Sequence, residues 1–237
     1  VRVECDRGVE VREEHDEQHR DGDEAPFRDG VDGAGAEADL RRRFQQLTGP
    51  VMAKSLEDTL FYRWVRLVAL NEVGSDPGRF GVRRRAFHDA MTARAAEWPH
   101  ALTATATHDT KRGEDTRLRI AALSEMPAEW SRAWQRWRRL VRPLLQEIDD
   151  RPAPDANDQY LLLQTIPGAR PMAMLDGAAA ADCKDFLARL EAYAEKALRE
   201  AKRHSSWLSV HTGYEAATKQ LLARLIVPGS PFIDTFA

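Results

Sequence analysis

Cysteine is nearly absent from this sequence of 237 residues, which has only Cys5 and Cys183. Two isolated thiols form neither a disulfide framework nor a zinc ligand set. The histidines show no HExxH or similar spacing, so we expect no metal site. A GxSxG nucleophile elbow is also missing, and the glycines of "EVGSDPGRFG" lack the GK[ST] of a phosphate loop. These absences exclude several common classes of enzyme.

Long apolar runs and a basic excess are missing as well. The mean hydropathy is −0.55, and no apolar run approaches the roughly 20 residues that span a bilayer. The first residues lack the apolar centre of a signal peptide. We therefore expect a cytoplasmic protein with no membrane partner. The net charge is −3 and the pI is 6.2, which argues against a nucleic-acid partner.

The composition changes near residue 39. Residues 1–38 are rich in acidic side chains and glycine and poor in large apolar ones. Such a segment cannot bury enough surface to offset its ordering entropy, so we predict that it is disordered or mistranslated. Residues 39–237 have the composition of a folded domain. The sequence therefore divides into an acidic segment and one folded part.

The folded part is predominantly helical by its hydrophobic spacing. Leucine and tryptophan recur every three or four residues over 56–67, after a break predicted at Gly49-Pro50. Residues 71–81 are predicted to form a loop, and residues 101–107, "ALTATAT", alternate with period two and predict a short strand. Further helices are predicted over 83–98, 111–126, 128–148, 153–169, 177–202 and 212–227. This pattern indicates a helix-rich piece of an α/β protein.

The pair His108-Asp109 follows the predicted strand directly. In parallel α/β barrels reactive groups lie at the carboxyl ends of strands, so Asp109 is a candidate catalytic carboxylate. Lys111 and Arg112 add donors that could hold hydroxyl groups. The alternative is a helix N-terminus, with Asp109 or Thr110 as its cap and acidic residues in its first turn. Residue types alone leave both interpretations open.

A helix with three tryptophans and five arginines is predicted at "WSRAWQRWRRLVR". Trp130, Trp134 and Trp137 lie on one face of it. A basic amphipathic helix can bind nucleic acid, a membrane or a partner protein. An aromatic stripe at this spacing is more often a core face from which arginines reach water.

Several segments together resemble one family. "FQQLTGPVMAKSLEDTLFYRWVRLVALNEVGSDPGRFG" (44–81) and "TATATHDTKRGEDTRLRIAALSEMPAEW" (103–130) are similar to maltooligosyltrehalose synthases. So are "RPAPDANDQYLLLQTIPGA" (151–169) and "KALREAKRHSSWLSVHTGYEAA" (196–217). The resemblance extends from about residue 40 onward, in the same order and with similar spacing.

The resemblance implies an α-amylase-type (β/α)8 TIM barrel, of which this segment is a partial and mostly helical piece. It implies an isomerase that converts the reducing-end α-1,4 bond of a linear α-1,4-glucan into an α,α-1,1 trehalosyl bond, without a cofactor. Asp109 would be the third carboxylate of the site, at the end of the seventh barrel strand. His108, Lys54, Lys111 and Arg112 would contact the sugar.

The nucleophile and the general acid that retaining chemistry requires, about 5–5.5 Å apart, are not found. Asp29 in "FRDGVDGAGAE" superficially matches the nucleophile strand of the family. However, Gly30 stands where a histidine is usual, and no apolar strand precedes it. We therefore expect an incomplete and inactive piece of the enzyme. The alternative is a non-catalytic helical module that binds glucan or protein, and the sequence does not indicate an oligomeric state.

Overall fold

The computed structural model of the chain describes residues 36–174 and 180–234. The chain divides into two compact units, whose described parts are residues 36–50 for the first and residues 51–174 and 180–234 for the second. In chain order the elements are α1 (Ala36–Met52), α2 (Phe61–Arg63), α3 (Arg84–Glu97), α4 (Glu114–Ala122), α5 (Pro127–Val141), β1 (Gln146–Ile148), β2 (Arg151–Ala153), α6 (Ala156–Ala169), α7 (Ala180–Ala201), α8 (Thr212–Leu225) and α9 (Pro231–Asp234). The π-helical segment Ala53–Leu60 links α1 to α2.

The prediction of a mostly helical segment with one or two short strands is confirmed. Among the described residues the only sheet is the antiparallel hairpin of β1 and β2, in which Glu147 faces Pro152. A (β/α)8 barrel is not shown by this arrangement. Asp29 and the acidic segment, apart from its last three residues, lie outside the described residues, so the domain boundary near residue 39 stays a prediction.

Helix α6 forms the centre of the second unit. Leu161, Leu163 and Ile166 are each at most 2% exposed, because neighbouring elements cover the helix on several sides. The Asp155 side chain caps it by accepting a hydrogen bond from the Asp158 N–H at 2.9 Å, as the capping residues of the sequence predicted. The predicted buried helix is therefore confirmed.

Helix α4 packs against α6 at very short range. A Cβ atom on Gly168 would lie 2.5 Å from Cγ1 of Ile120 and 3.1 Å from the carbonyl oxygen of Thr116. Ile120 is completely buried at this contact. Glycine is therefore required at position 168 by the close approach of two helices.

The tryptophan face of α5 belongs to the core. Trp137 is 3% exposed, and its ring meets Trp130 edge-on at 5.3 Å and Phe232 at 5.6 Å. Trp134 packs edge-on against Tyr160 at 4.8 Å. The core interpretation of this helix is confirmed.

Residues 64–72 cross α6 in an irregular path that side-chain amides hold in place. Gln164, fully buried, donates to the Val65 carbonyl oxygen at 2.8 Å and accepts from the Val68 N–H at 3.0 Å. Asn71 donates to the carbonyl oxygens of Phe61 at 2.7 Å and Trp64 at 2.6 Å. The loop after residue 71, predicted from its glycines and proline, is thereby fixed where it starts.

Several helix boundaries differ from the predictions. The helical spacing of residues 56–67 continues past Arg63, where α2 ends, and two further differences involve proline. Gly49-Pro50 does not break the chain, because Pro50 lies inside α1. The hydrogen bond that proline removes would have used the carbonyl of Gln46, which is exposed to water. Helix α5 ends at Val141 rather than Ile148, because Pro143 cannot continue it and a hairpin follows.

The strand predicted over 101–107 is not formed. Its carbonyl groups pair with arginine side chains in place of a neighbouring strand: Arg94 donates to Leu102 at 3.3 Å, and Arg117 donates to Thr105. All seven residues are exposed. Alternating Thr and Ala favour extended backbone, but a strand also needs a partner.

Candidate functional site

The pair His108-Asp109 lies in a turn formed by residues 107–110, named here the Asp109 turn. The N–H of Thr107 donates to Oγ1 of Thr110 at 2.6 Å, and the N–H of Thr110 donates to the Thr107 carbonyl oxygen at 3.2 Å. These bonds close the turn and present its tip to solvent. The side chains of His108 and Asp109 are 98% and 74% exposed, and Nδ1 of His108 lies 3.2 Å from Oδ1 of Asp109.

The alternative in which Asp109 or Thr110 caps a helix is wrong. Helix α4 begins after Gly113, which occupies the N-cap position and has no side chain to bond the helix. Glu114 and Asp115 do lie in the first turn, where the helix dipole favours them. Asp109 therefore does not cap helix α4.

Asp58 joins two of the predicted sugar-binding lysines. Its Oδ2 is 2.5 Å from Nζ of Lys54, and its Oδ1 is 2.8 Å from Nζ of Lys111. Lys54 is largely exposed, while the Lys111 side chain is only 10% exposed. One carboxylate thus fixes one accessible and one enclosed ammonium group beside the Asp109 turn.

The charged side chains of this group shift one another's pKa values. Burial would raise the pKa of Asp58, but hydrogen bonds from Lys111 and Lys54 and their positive charges bring it below its usual value. The hydrogen bond and charge of Asp58 raise the pKa of Lys54, and the charge of Asp109 contributes in the same direction. Among these contributions to the pKa of Lys54, the charge of Asp109 is the smallest.

Glu72 anchors the segment after the Asp109 turn, and the sequence did not identify it. Its Oε1 accepts from the Lys111 N–H at 2.7 Å, and its Oε2 accepts from the Arg112 N–H at 3.3 Å. Nη1 of Arg117 lies 3.4 Å from the same carboxylate. Because Glu72 is remote in sequence and lies in a glycine-rich loop, no spacing pattern could reveal this contact.

Arg112 points into the protein and is only 8% exposed. It donates to the Val68 carbonyl oxygen at 3.2 Å and to the Tyr193 hydroxyl at 2.6 Å, and its Nε is buried without a partner. Burial raises the pKa of the adjacent Tyr62, and the charge of Arg112 opposes that shift. The Arg112 guanidinium thus links the backbone of Val68 to the side chain of Tyr193.

The structure brings Lys54 and Lys111 together through Asp58, whereas Arg112 contacts Val68 and Tyr193, and Asp109 makes no contact with either lysine among the described residues. The carboxylates of Asp58 and Glu72 are both occupied by cations or backbone N–H groups. Asp109 is therefore the carboxylate of this group that is open to a ligand. An exposed carboxylate with donors beside it can hold sugar hydroxyls and stabilise nearby positive charge.

A second polar cluster lies at the start of α6. Ligand atoms of Asp155, Asp158 and His204 lie within 4.8 Å of one another, a spacing compatible with a metal ion. However, Asp155 accepts from Arg203 at 2.8 Å and from Nε2 of His204 at 2.9 Å, and Asp158 accepts from the Tyr214 hydroxyl at 2.7 Å. These contacts explain the cluster as a hydrogen-bond network that ties α6 to α8.

The chain has relatives among known proteins. No protein-family model matches it. Two curated proteins from strains of Mycobacterium tuberculosis, both provisionally named maltooligosyl trehalose synthases, are each 43% identical to it over 173 residues. The chain is homologous to one part of the maltooligosyl trehalose synthases. The match covers 73% of this chain and 20% of each curated protein, so the chain spans about a fifth of their length.

Solved structures of maltooligosyl trehalose synthases agree with this homology. The provisionally named synthase of Sulfolobus tokodaii superposes with a TM-score of 0.69 and 33% identity, over 84% of this chain and 25% of its own. The synthase of Arthrobacter ramosus gives a TM-score of 0.65 and 38% identity, over 82% of this chain and 22% of its own. The resemblance found in the sequence is therefore confirmed. None of the described helices is long and apolar enough to cross a membrane.

Proposed function

We propose that this chain supplies part of the active site of a maltooligosyl trehalose synthase. The reaction is an intramolecular transglucosylation, in which the reducing-end α-1,4 bond of a linear α-1,4-glucan becomes an α,α-1,1 bond. It belongs to trehalose biosynthesis in the cytoplasm and is an isomerisation without a cofactor. The observation that supports the proposal is an exposed Asp109 on a turn closed by hydrogen bonds, in a chain homologous to these enzymes.

Asp109 has the catalytic role in this proposal. Its carboxylate holds hydroxyls of the reacting glucose, and its charge favours the oxocarbenium-like transition state. His108 and Lys54 donate hydrogen bonds to the same sugar, since both are exposed beside it. Lys111 and Arg112, assigned to the sugar by resemblance, are largely enclosed, so we propose that they shape the site from below.

The nucleophile and the acid come from outside the described residues in this proposal, within a (β/α)8 barrel. Asp58 cannot readily serve, because both of its oxygens are held by lysines. We therefore expect the chain alone to leave maltohexaose unchanged in an assay of its reducing ends. Rearrangement by the chain alone would contradict this division of the site.

A chimera tests the role of Asp109 directly. This chain replaces the homologous part of the Mycobacterium tuberculosis relative, and conversion of maltohexaose to its trehalosyl isomer is measured. The change Asp109→Asn keeps the shape but removes the charge, and should lower kcat by about 10²-fold or more. The control Asp185→Asn changes an exposed carboxylate of α7 and should leave kcat unaltered. Full activity of the Asp109→Asn chimera would rule out the catalytic role.

A non-catalytic module that binds glucan is the second candidate. It is favoured by the occupation of Asp58 and Glu72, which leaves Asp109 without a free carboxylate partner in its group of described residues. Titration of the chain with maltohexaose separates the two candidates. Binding that survives Asp109→Ala would favour the module, whereas binding that needs Asp109 would favour the active-site piece.

A further inference from the structure

A cleft of about 960 Å³ lies on the second unit, apart from the Asp109 turn. Its walls come from the end of α5, the β1–β2 hairpin, the start of α6 and the loop between α7 and α8. We call it the arginine cleft, because five guanidinium groups line it. They belong to Arg138, Arg139, Arg142, Arg151 and Arg203.

The acidic side chains of the arginine cleft are already engaged. Asp155 pairs with Arg203 at 2.8 Å and with His204 at 2.9 Å. Asp149 lies 2.8 Å from Nε2 of His211. Among the described residues, Arg203 is the one arginine of the five that has a carboxylate partner.

The other four guanidinium groups have no carboxylate partner among the described residues. Within the described ranges the side chains of Arg139, Arg142 and Arg151 form no ion pair or hydrogen bond, and Arg138 lies over the Trp134 ring at 5.7 Å. Several like charges in one cleft repel one another. They are concentrated here although the net charge of the chain is −3.

The dipole of α5 explains only some of these residues. Arg138 and Arg139 lie in its last turn, where cations are favoured. Arg151 belongs to β2, and Arg203 belongs to the loop after α7. Arginines from separate elements that line one concavity indicate an anionic ligand.

We propose that the arginine cleft binds a small phosphorylated molecule through Arg139, Arg142 and Arg151. Guanidinium groups present paired N–H donors that match phosphate oxygens, and no carboxylate pairs with these three arginines among the described residues. The volume lies within the range of small-molecule sites. This proposal does not depend on the proposed function.

The rest of the lining fits a phosphate ester better than a free phosphate ion. Leu145, Ile148 and Pro152 form an apolar wall, and Gln135 and Gln159 supply amides that can bond hydroxyls. Tyr214 is only 5% exposed and its ring is stacked on His204, so it offers no free face to an unphosphorylated sugar. We therefore expect the phosphate charge to contribute more to the binding affinity than contacts with the carbon skeleton do.

Isothermal titration of the full chain tests the proposal, with inorganic phosphate, glucose 6-phosphate, glucose and a single-stranded oligonucleotide as probes at constant ionic strength. The double variant Arg142→Gln with Arg151→Gln should weaken the affinity for glucose 6-phosphate by about tenfold or more. The control is Arg84→Gln with Arg136→Gln, which removes equal charge from exposed positions that do not line the cleft. It should change the affinity by less than about twofold.

Four outcomes would overturn the proposal. They are no binding of either phosphate compound, equal weakening in both double variants, binding of glucose as tight as that of its phosphate, and tighter binding of a single-stranded oligonucleotide than of either phosphate compound. Inorganic phosphate bound more tightly than glucose 6-phosphate would contradict the preference for a phosphate ester and support a free phosphate ion as the ligand. Circular dichroism of both variants verifies that they are folded.

Discussion

Glu72 holds Lys111 by its backbone, since the carboxylate accepts the Lys111 N–H at 2.7 Å, although the two residues are 39 positions apart. The same carboxylate accepts the N–H of Arg112 and faces Arg117. The position of the chain after the Asp109 turn therefore depends on a side chain from the glycine-rich loop.

The change Glu72→Ala should destabilise the protein by about 1–3 kcal/mol, because two backbone N–H groups and one guanidinium lose their partly buried acceptor. The free energy of unfolding in urea measures the effect. Glu125→Ala, at an exposed glutamate, is the matched control and should cost little. An equal loss in both variants would refute the anchoring role.

Gly168→Ala should destabilise the protein by about 1–3 kcal/mol, since the added Cβ would lie 2.5 Å from Ile120. Ile120→Ala in the same chain creates space for that Cβ, so the double variant should lose less than the sum of the single changes. The midpoint of thermal unfolding measures both. Gly81→Ala, where no atom lies within 4 Å of the new Cβ, is the control.

Asp158 should make stability depend on pH. Burial, with the Asp155 charge second, raises the pKa of Asp158 to about 6, although the Tyr214 hydrogen bond opposes the shift. The folded chain therefore holds a proton that the unfolded chain releases, so this contribution is complete below the unfolded value of 3.8 and is lost as the pH rises through about 6.

Asp158→Asn removes this titration. Relative to the unmodified chain, the variant should gain about 2–3 kcal/mol in free energy of unfolding between about pH 4 and pH 7. Urea unfolding at both pH values measures the difference. The control Asp185→Asn should change the free energy of unfolding by the same amount at both pH values. An effect of Asp158→Asn that does not depend on pH would contradict the raised pKa of Asp158.

Helix α3 should promote self-association of the chain. Phe87, Met91 and Trp98 lie along one stripe and are 51%, 42% and 69% exposed, and no residue of this helix is buried. Phe87→Ser with Met91→Ser should reduce light scattering at a given protein concentration. The control Ala90→Ser with Ala93→Ser also introduces two serines, but on another face of α3, and should not reduce the light scattering.

Hydrophobic spacing predicted most of the helices because packing of α5, α6, α7 and α8 follows their apolar positions. It failed where non-local contacts decide the structure. The period-two pattern of 101–107 favoured a strand, but arginines from α3 and α4 take its carbonyl groups. The hairpin after α5 was missed, although Asp149 and Asp150 adopt positive φ, which aspartate tolerates better than most residues.

The candidate site was predictable only in part. His108 and Asp109 were singled out because they follow the strand predicted over 101–107, which is not formed, and Lys54 came from the family resemblance. The roles of these residues stay predictions. Asp58 and Glu72 were missed. Lys54 and Asp58 are four residues apart on a helical segment, a spacing that could have revealed their ion pair, whereas the contacts of Glu72 join distant segments and have no periodic signal. The enclosure of Arg112 by Tyr193 was hidden for the same reason.

The stacking of Arg138 on Trp134 gives the chain an intrinsic optical reporter. The indole ring packs between Tyr160 and a guanidinium that lines the arginine cleft, so an anion that shifts this guanidinium changes the polarity around the ring. Tryptophan emission should therefore respond to occupancy of the cleft without any attached dye.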